Sequence, residues 1–172
     1  MITLSPLSEA DMMVIRRWRN DQMDVLRQDQ PIGEAAQRTY YRTHVAPQYA
    51  RAQPTQLLYA VHEGDALVAY GGLVHMNWYA RAAEVSFLAD TAIPHESDRH
   101  DGLFRAFLAR LLDRAESLGL VRLTAELYDL RPRHGAALSD CGFKLERRHA
   151  GAVHIRGQAV DSLFYGRDLV PD

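Results

Sequence analysis

The stretch Gly71-Gly72-Leu73-Val74-His75-Met76-Asn77-Trp78, followed by Ala83-Glu84-Val85-Ser86-Phe87-Leu88, decides the fold. Both runs are rich in residues that favour β-strands, and a short polar segment separates them. The glycine pair indicates a bulge or a point of close approach between two backbones. Glu84 is the one acid on an otherwise apolar strand, and such an acid is exposed, paired or functional.

Turn and cap signals on either side of this stretch divide the chain into short elements. Strands are predicted at residues 2–4, 57–62, 67–76, 82–88, 121–127, 143–155 and 158–167. Helices are predicted at residues 8–20, 33–44, 103–115 and 132–142. Ser8 and Asp11 cap the first helix, Pro47 ends the second, and residues 91–99 form a polar loop. The order β-αα-βββ-α-β-α-ββ predicts an α+β fold in one domain over residues 1–172, with a mixed central sheet of about seven strands flanked by about four helices.

Composition indicates a globular protein with a sizeable apolar core. Hydrophobic residues make up 47% and charged residues 24% of the 172 positions, and the net charge is −2. Because no block of Lys or Arg stands out, we expect neither a nucleic-acid partner nor a membrane partner. Cys141 is the single cysteine, so an internal disulfide is excluded and no metal is expected. With no signal-peptide pattern and no apolar run of about 18 residues, the expected location is cytoplasmic.

Two short motifs, together with the order of the elements, resemble those of a known protein family. Trp18-Arg19-Asn20 lies in the first helix with Arg27 after it, and Gly142-Phe143 follows a late helix. With the order of elements, these motifs resemble the GNAT family of acetyl-CoA-dependent N-acetyltransferases, in its ribosomal-protein and amino-sugar branches. The resemblance implies that the strands at 82–88 and 121–127 splay apart and receive the pantetheine arm of acetyl-CoA. Unpaired strand amides can satisfy such a peptide-like ligand.

The resemblance also implies which residues contact the donor. Val85, Phe87 and Leu88 would line the pantetheine arm. The family's phosphate pattern, Arg/Gln-x-x-Gly-x-Gly/Ala, corresponds to Arg99-His100-Asp101-Gly102-Leu103-Phe104, in which Arg99 and Gly102 match and Phe104 replaces a small residue. Free amides at a helix N-terminus favour a pyrophosphate there. The other interpretation of this segment is a plain loop whose aspartates cap a core helix.

Amine acetylation needs a group that removes a proton, because a free ammonium is no nucleophile. The resemblance implies that Glu84 is the general base, and His75 is the rival base because its ordinary pKa is near 6.5. The alternatives are a surface Glu84 paired with an arginine and a packed His75. Leu138 stands where the family often has an acidic tyrosine, so Tyr128 is the candidate acid. Arg131 and His134 are further candidates, as acids or as contacts of the donor.

The N-terminal helices of the family wall the acceptor site, which makes several residues candidates for substrate contact. These are Trp18, Arg19, Asn20, Asp29 and Trp78. The tryptophans could stack on a sugar or fill the core, and the polar residues could bind the acceptor or form salt bridges and caps. A possible homodimer follows from the tendency of the final strands of this fold to pair across subunits.

The predicted function is transfer of acetyl from acetyl-CoA to a primary amine of a small molecule, preferably a nucleotide-linked amino sugar. One alternative is the N-terminal amine of a ribosomal protein, and another is a non-catalytic module that senses CoA or a ligand. An acidic or open groove would favour the protein acceptor, and a closed pocket would favour the sugar.

Overall fold

Seven strands form one mixed sheet in the computed structural model, which describes residues 1–26 and 28–169. The strands are β1 (Ile2–Pro6), β2 (Leu57–Glu63), β3 (Ala66–Asn77), β4 (Ala82–Ala89), β5 (Arg122–Tyr128), β6 (Lys144–Ile155) and β7 (Gln158–Asp168). Their order across the sheet is β1-β2-β3-β4-β5-β7-β6. Within the described residues, β4 and β5 are parallel and the other neighbouring pairs are antiparallel.

Four α-helices flank this sheet in the described ranges, which confirms the predicted α+β fold. They are α1 (Glu9–Asp21), α2 (Glu34–Tyr40), α3 (Asp98–Ser117) and α4 (Pro132–Asp140). The predicted capping box opens α1: the Asp11 N–H donates to Ser8 Oγ at 3.1 Å, and the Ser8 N–H donates to the Asp11 carboxylate at 2.8 Å. None of the described helices is long and apolar enough to cross a membrane.

Two predicted helix boundaries are wrong. The helical path after α2 does not end at Pro47, because it continues as a π-helical turn (Tyr41–Val45) and a 3-10 turn (Ala46–Ala50). Pro47 is tolerated there because the first turn of a helix needs no N–H donor. The predicted loop at 91–99 is also too long, since α3 begins at Asp98, with Ser97 as its N-cap.

The sheet separates two apolar layers, which we call the α1 face and the α3 face. On the α1 face, α1 packs a cluster that includes Met12 and Ile15 against β2, β3 and β4. On the α3 face, α3 and α4 cover the larger core, which includes Phe107, Leu111 and Leu138. Each strand therefore presents alternate side chains to a different environment.

This alternation sorts the side chains of β4. Val85 belongs to the core of the α3 face, and Phe87 packs against it. Leu88 belongs to the cluster of the α1 face. Because successive side chains point to opposite faces, Glu84 and Ser86 lie on the α1 face with Leu88.

The predicted close approach at the glycine pair is present in β3. A Cβ added at Gly71 would overlap the carbonyl oxygen of Ser86 in β4, and one added at Gly72 would overlap that of Leu57 in β2. The irregularities of β3 lie on either side of the pair: its register against β2 shifts between Leu67 and Ala69, and its register against β4 shifts after Val74. The glycines therefore allow tight packing of regular strands rather than forming a bulge.

β4 and β5 stay together over only three residue pairs: Ala82 with Arg122, Ala83 with Leu123 and Glu84 with Thr124. Further along, β4 remains paired with β3 up to Ala89, and β5 remains paired with β7 up to Tyr128. The two strands are each held on their outer side while their facing edges separate. The predicted splay is confirmed, and it begins directly after Glu84.

Candidate functional site: a cleft between parted strands

The gap between β4 and β5 opens into a cleft that crosses the sheet. It is lined by residues of both strands, of α3 and α4, and of the 3-10 turn Met23–Val25. Val85 and Phe87 contribute from the α3 face, while Glu84 and Ser86 contribute from the α1 face. An extended ligand in this gap could contact both faces of the sheet and the facing backbone edges of β4 and β5.

Glu84 and His75 form a pair at the α1-face end of the cleft. His75 Nδ1 lies 2.8 Å from Glu84 Oε2, and the two side chains are 69% and 16% exposed. His75 has a φ of 49°, a left-handed value that is uncommon for a residue with a side chain and occurs where β3 is irregular. The two residues predicted as rival bases are therefore partners, one lining the cleft and the other facing solvent.

β5 contributes a second carboxylate that the sequence interpretation missed. Glu126 lines the cleft with Tyr128, and the Ser162 hydroxyl donates a hydrogen bond of 2.6 Å to Glu126 Oε1. Leu127 is buried on the α3 face, so Glu126 and Tyr128 lie on the α1 face, as Glu84 does. The argument that singled out Glu84, an acid alternating with apolar residues on a strand, applies equally to Glu126.

Aromatic and imidazole rings form the α3-face wall of the cleft. His134 stacks on Phe104 with ring centroids 3.9 Å apart, and the Phe87 ring lies 4.8 Å from that of Phe104. His100 lies 5.8 Å from His134, centroid to centroid. Phe104, which replaces a small residue of the family pattern, therefore supports this wall.

Burial lowers the proton affinity of the histidines at this wall. It lowers the pKa of His100 to about 4 and that of His134 well below the ordinary histidine value. Burial also lowers the pKa of His95, and the positive charge of Arg131 lowers it further. The Arg131 guanidinium Nη1 lies 3.4 Å from His95 Nδ1. The α3-face wall of the cleft thus combines neutral imidazole rings with the nearby guanidinium group of Arg131.

A second cavity of about 410 Å³ lies on the α1 face. Its walls come from α1, α2, β2, β3 and β4, and it shares Val74 and Ser86 with the cleft. Arg19 is its one charged residue within the described parts of the chain, and its Nη1 donates to the Tyr70 hydroxyl at 2.8 Å. The two cavities therefore meet at β4, beside Glu84.

Several predicted donor contacts lie outside the cleft. Arg99 is exposed on α3 and bonds Glu63 at 3.3 Å, while Gly102 faces solvent with open space around it. Leu103 is buried in the core of the α3 face, and Leu88 is buried beneath α1. Four of the predicted donor contacts do line the cleft: Val85, Phe87, Arg131 and His134.

The predicted acceptor contacts are also dispersed, apart from Arg19. Trp18 is buried in the α1-face cluster, and the Trp78 indole N–H donates to the Pro54 carbonyl at 2.8 Å. The Asn20 side chain makes two hydrogen bonds with the backbone of Ile32. Its Nδ2 donates to the Ile32 carbonyl at 3.1 Å, and its Oδ1 accepts from the Ile32 N–H at 2.8 Å. Asp29 lines a separate groove beside the β6–β7 hairpin. Arg27, part of the N-terminal motif, lies outside the described residues.

Comparisons with known proteins agree with this geometry. A family model described as an acetyltransferase (GNAT) domain matches residues 4–164. The spermidine N-acetyltransferase of Vibrio cholerae, solved with CoA and spermine, is similar with a TM-score of 0.82 and 18% identity, over 98% of this chain and 95% of that one. An N-acetyltransferase from Staphylococcus aureus Mu50 has a TM-score of 0.81 and 15% identity, over 99% of both chains. No curated protein matches the sequence.

Proposed function

Because the chain belongs to the GNAT family of acetyltransferases, it transfers acetyl from acetyl-CoA to an amine, and we propose an acceptor class for it. The acceptor is a small primary amine whose remainder is neutral or anionic, a class that includes nucleotide-linked amino sugars. The observation that carries this proposal is the cavity on the α1 face. It shares the lining residues Val74 and Ser86 with the cleft, and its charged lining residue within the described parts of the chain is Arg19.

The charge of Arg19 argues against a polycationic acceptor. Two like charges about 5 Å apart repel by about 3 kcal/mol at an effective dielectric constant of 20. A polyamine would place several ammonium groups in this cavity, whose described lining residues include no carboxylate. A carboxylate or phosphate would instead gain a charge-assisted hydrogen bond from the guanidinium. The V. cholerae structure contains spermine, so the two proteins would differ in acceptor although they share a fold.

The preference for an amino sugar rests on the charge of Arg19 and not on stacking of the sugar against a tryptophan. Trp18 and Trp78 do not line the cavity, whereas Tyr40 and Tyr70 do. The described lining of the cavity is not acidic. Because an acidic groove would favour a protein acceptor, this lining favours a small acceptor over a protein N-terminus.

Glu84 is proposed as the group that receives the proton of the ammonium. It lines the cleft where the two cavities meet, and it contacts His75 at 2.8 Å. The N–H bond of the acceptor breaks and an O–H bond forms on Glu84, after which the exposed His75 can pass the proton to water. Glu84 is thus the catalytic base, and His75 is a positioning residue that acts through it.

Tyr128 is proposed as the acid at the opposite strand. It ends β5 and lines the cleft on the same face as Glu84. Acetyl-CoA supplies the reactive thioester, whose C–S bond breaks as the C–N bond forms. Tyr128 is placed to give the departing sulfur a proton, although a thiolate of ordinary pKa near 8.5 leaves readily without one. Its loss should therefore reduce the rate less than loss of Glu84.

The proposal is tested by measuring release of free thiol from acetyl-CoA over a panel of amines. The panel contains a nucleotide-linked amino sugar, the corresponding free amino sugar, and spermidine. We expect the anionic acceptor to have the highest kcat/KM, and Arg19→Gln to reduce that advantage at least tenfold. Arg17→Gln removes an exposed arginine from the same helix and serves as the matched control.

Three results would contradict the proposal. A preference for spermidine would show that Arg19 does not select the acceptor. Equal losses in Arg17→Gln and Arg19→Gln would indicate a general charge effect. Tight binding of acetyl-CoA without turnover of any amine would favour the non-catalytic module.

A further inference from the structure

Arg19, the charged residue of the α1-face cavity, is held by two uncharged partners. Its Nε donates to Gln28 Oε1 at 3.1 Å, and its Nη1 donates to the Tyr70 hydroxyl at 2.8 Å. Tyr70 lies in β3 and lines the cavity, whereas Gln28 lies in the segment between α1 and α2. Because a guanidinium is rigid and planar, two bonds to different parts of the chain fix its position and its plane.

Several other arginines of the described chain are neutralised by carboxylates. Arg42 bonds Glu9 at 2.8 Å. Arg148 bonds Asp129 at 2.6 Å. The described partners of Arg19 are instead an amide oxygen and a hydroxyl. Its positive charge is therefore oriented without being cancelled, and it remains available to a ligand in the cavity.

The Arg19 guanidinium also keeps donors for such a ligand. A guanidinium has five N–H groups, and the bonds to Gln28 and Tyr70 use one on Nε and one on Nη1. Within residues 1–26 and 28–169, the N–H groups of Nη2 have no hydrogen-bond partner. Parallel N–H groups of a guanidinium match the two oxygens of a carboxylate or a phosphate.

Gln28 is itself anchored, in an orientation that its neighbours dictate. Its Nε2 donates to Asn20 Oδ1 at 3.0 Å, and the same Oδ1 accepts from the Ile32 N–H at 2.8 Å. Because Asn20 Oδ1 is an acceptor, the group of Gln28 that faces it must be a donor. The Gln28 oxygen therefore faces Arg19. Ile32 lines the cavity, so these bonds also connect Gln28 to the cavity wall.

We propose that Gln28 is the positioning residue that holds the Arg19 guanidinium ready for an anionic group of the acceptor. This inference rests on the proposed function and adds how the site keeps the charge of Arg19 available. An amide oxygen orients the guanidinium and leaves its charge intact, whereas a carboxylate at the same place would form an ion pair with it. Gln28 thus selects the acceptor through Arg19 and needs no contact with the acceptor.

Gln28→Met removes the orienting oxygen and keeps a side chain of similar length. Arg19 can then still bond Tyr70, but its plane is no longer fixed. We expect KM of the nucleotide-linked amino sugar to rise about tenfold with kcat nearly unchanged, because the weakened contact is remote from the reacting amine. KM of the free amino sugar and KM of acetyl-CoA should stay at their wild-type values.

Gln28→Glu tests the argument from charge. It sets a carboxylate oxygen where the amide oxygen now lies, 3.1 Å from Arg19 Nε. We expect kcat/KM of the nucleotide-linked amino sugar to fall at least tenfold and kcat/KM of spermidine to rise, because the cavity loses its net positive charge. Gln30→Met and Gln30→Glu are the matched controls, because Gln30 is exposed in the same segment. Equal effects of the two Glu variants would show a general charge effect and overturn the inference.

A double-mutant cycle tests whether Gln28 acts through Arg19. When it does, adding Gln28→Met to Arg19→Gln should cause no further loss in kcat/KM of the nucleotide-linked amino sugar. Losses that multiply in the double variant would show that Gln28 contributes independently of Arg19. That result, or wild-type kinetics in Gln28→Met, would overturn the inference.

NMR spectroscopy tests the hydrogen bond without any acceptor. In the wild-type protein, the Nε–H proton of Arg19 should exchange with water at least tenfold more slowly than that of Arg17, which is exposed on the same helix. Gln28→Met should remove this protection, and Gln30→Met should retain it. Equal exchange at Arg17 and Arg19 in the wild-type protein would sink the inference, even if Gln28→Met does not fold.

The same measurements separate this inference from the proposed function. A wild-type protein that prefers spermidine would contradict the proposed acceptor class. A preference for the nucleotide-linked amino sugar that is lost in Arg19→Gln but survives in Gln28→Met would contradict the inference alone.

Discussion

Replacing Glu84 with glutamine isolates the proposed base from its surroundings. Glutamine has nearly the same volume, and its amide can still form a hydrogen bond with His75 across the 2.8 Å contact. The side chain is partly exposed, so losing one charge of this pair should change the free energy of unfolding by less than about 1 kcal/mol. A large effect on turnover would therefore not come from loss of the folded state.

The size of the effect depends on pH. A primary ammonium with a pKa near that of lysine, about 10.4, leaves roughly one acceptor molecule in a thousand unprotonated at pH 7.4. General bases contribute about 10²–10⁴-fold, so we expect kcat/KM of Glu84→Gln to fall about 100-fold or more near pH 7. The deficit should shrink by about tenfold for each pH unit toward the pKa of the acceptor, because the substrate then arrives already deprotonated.

The assay is release of free thiol at saturating acetyl-CoA, measured from pH 6.5 to 9.5. Glu116→Gln removes an exposed acid from α3 and should leave the profile unchanged. His75→Gln should give a smaller loss with the same pH trend, because the histidine acts through Glu84. A deficit in Glu84→Gln that is the same at every pH would refute the role of Glu84 as base and point to a role in binding.

Three further predictions concern the fold and its response to pH. Gly71→Ala should destabilise the protein by about 3 kcal/mol in urea unfolding, because its Cβ would overlap the Ser86 carbonyl oxygen and contact Phe107. Gly102→Ala should stabilise it by about 1 kcal/mol in the same assay, because the position is helical with open space around it, and a loss would contradict this. Burial lowers the pKa of His100 to about 4, so the native state binds fewer protons than the unfolded state as pH falls from about 6.5. Up to about 3 kcal/mol of stability should be lost between pH 6.5 and 4, and a His100→Gln variant that retains the full wild-type loss would rule this out.

Most of the fold could be predicted because its signals are local. The Ser8–Asp11 box, for example, specifies the start of α1 from a few neighbouring residues. The parallel pairing of β4 and β5 is the arrangement that a helical connection between two neighbouring strands favours. The boundary at α3 was missed because it depends on one serine, Ser97, and the loop composition around it hid this cap.

The site was less predictable because it depends on contacts between distant segments. Glu84 could be selected from its strand, but its contact with His75 depends on a left-handed residue in an irregular part of β3. Trp18 follows an amphipathic pattern that is equally consistent with substrate contact and with core packing, and burial decides for the core. His100 was treated as a variable position of a phosphate loop, and only the tertiary structure brings it near His134.

The charges that line the cleft change sign along its length. The carboxylates of Glu84 and Glu126 lie on strands β4 and β5, whereas the positive charge of Arg131 lies beyond the end of β5, at the start of α4. A donor with an anionic diphosphate and a neutral thioester can therefore enter in only one favourable orientation, with its thioester toward the carboxylates. The same division places an acceptor ammonium beside Glu84 and away from the positive charge of Arg131. The proposed role of Glu84 as base is therefore tied to the orientation of the donor, because a reversed donor would set its phosphates against two carboxylates.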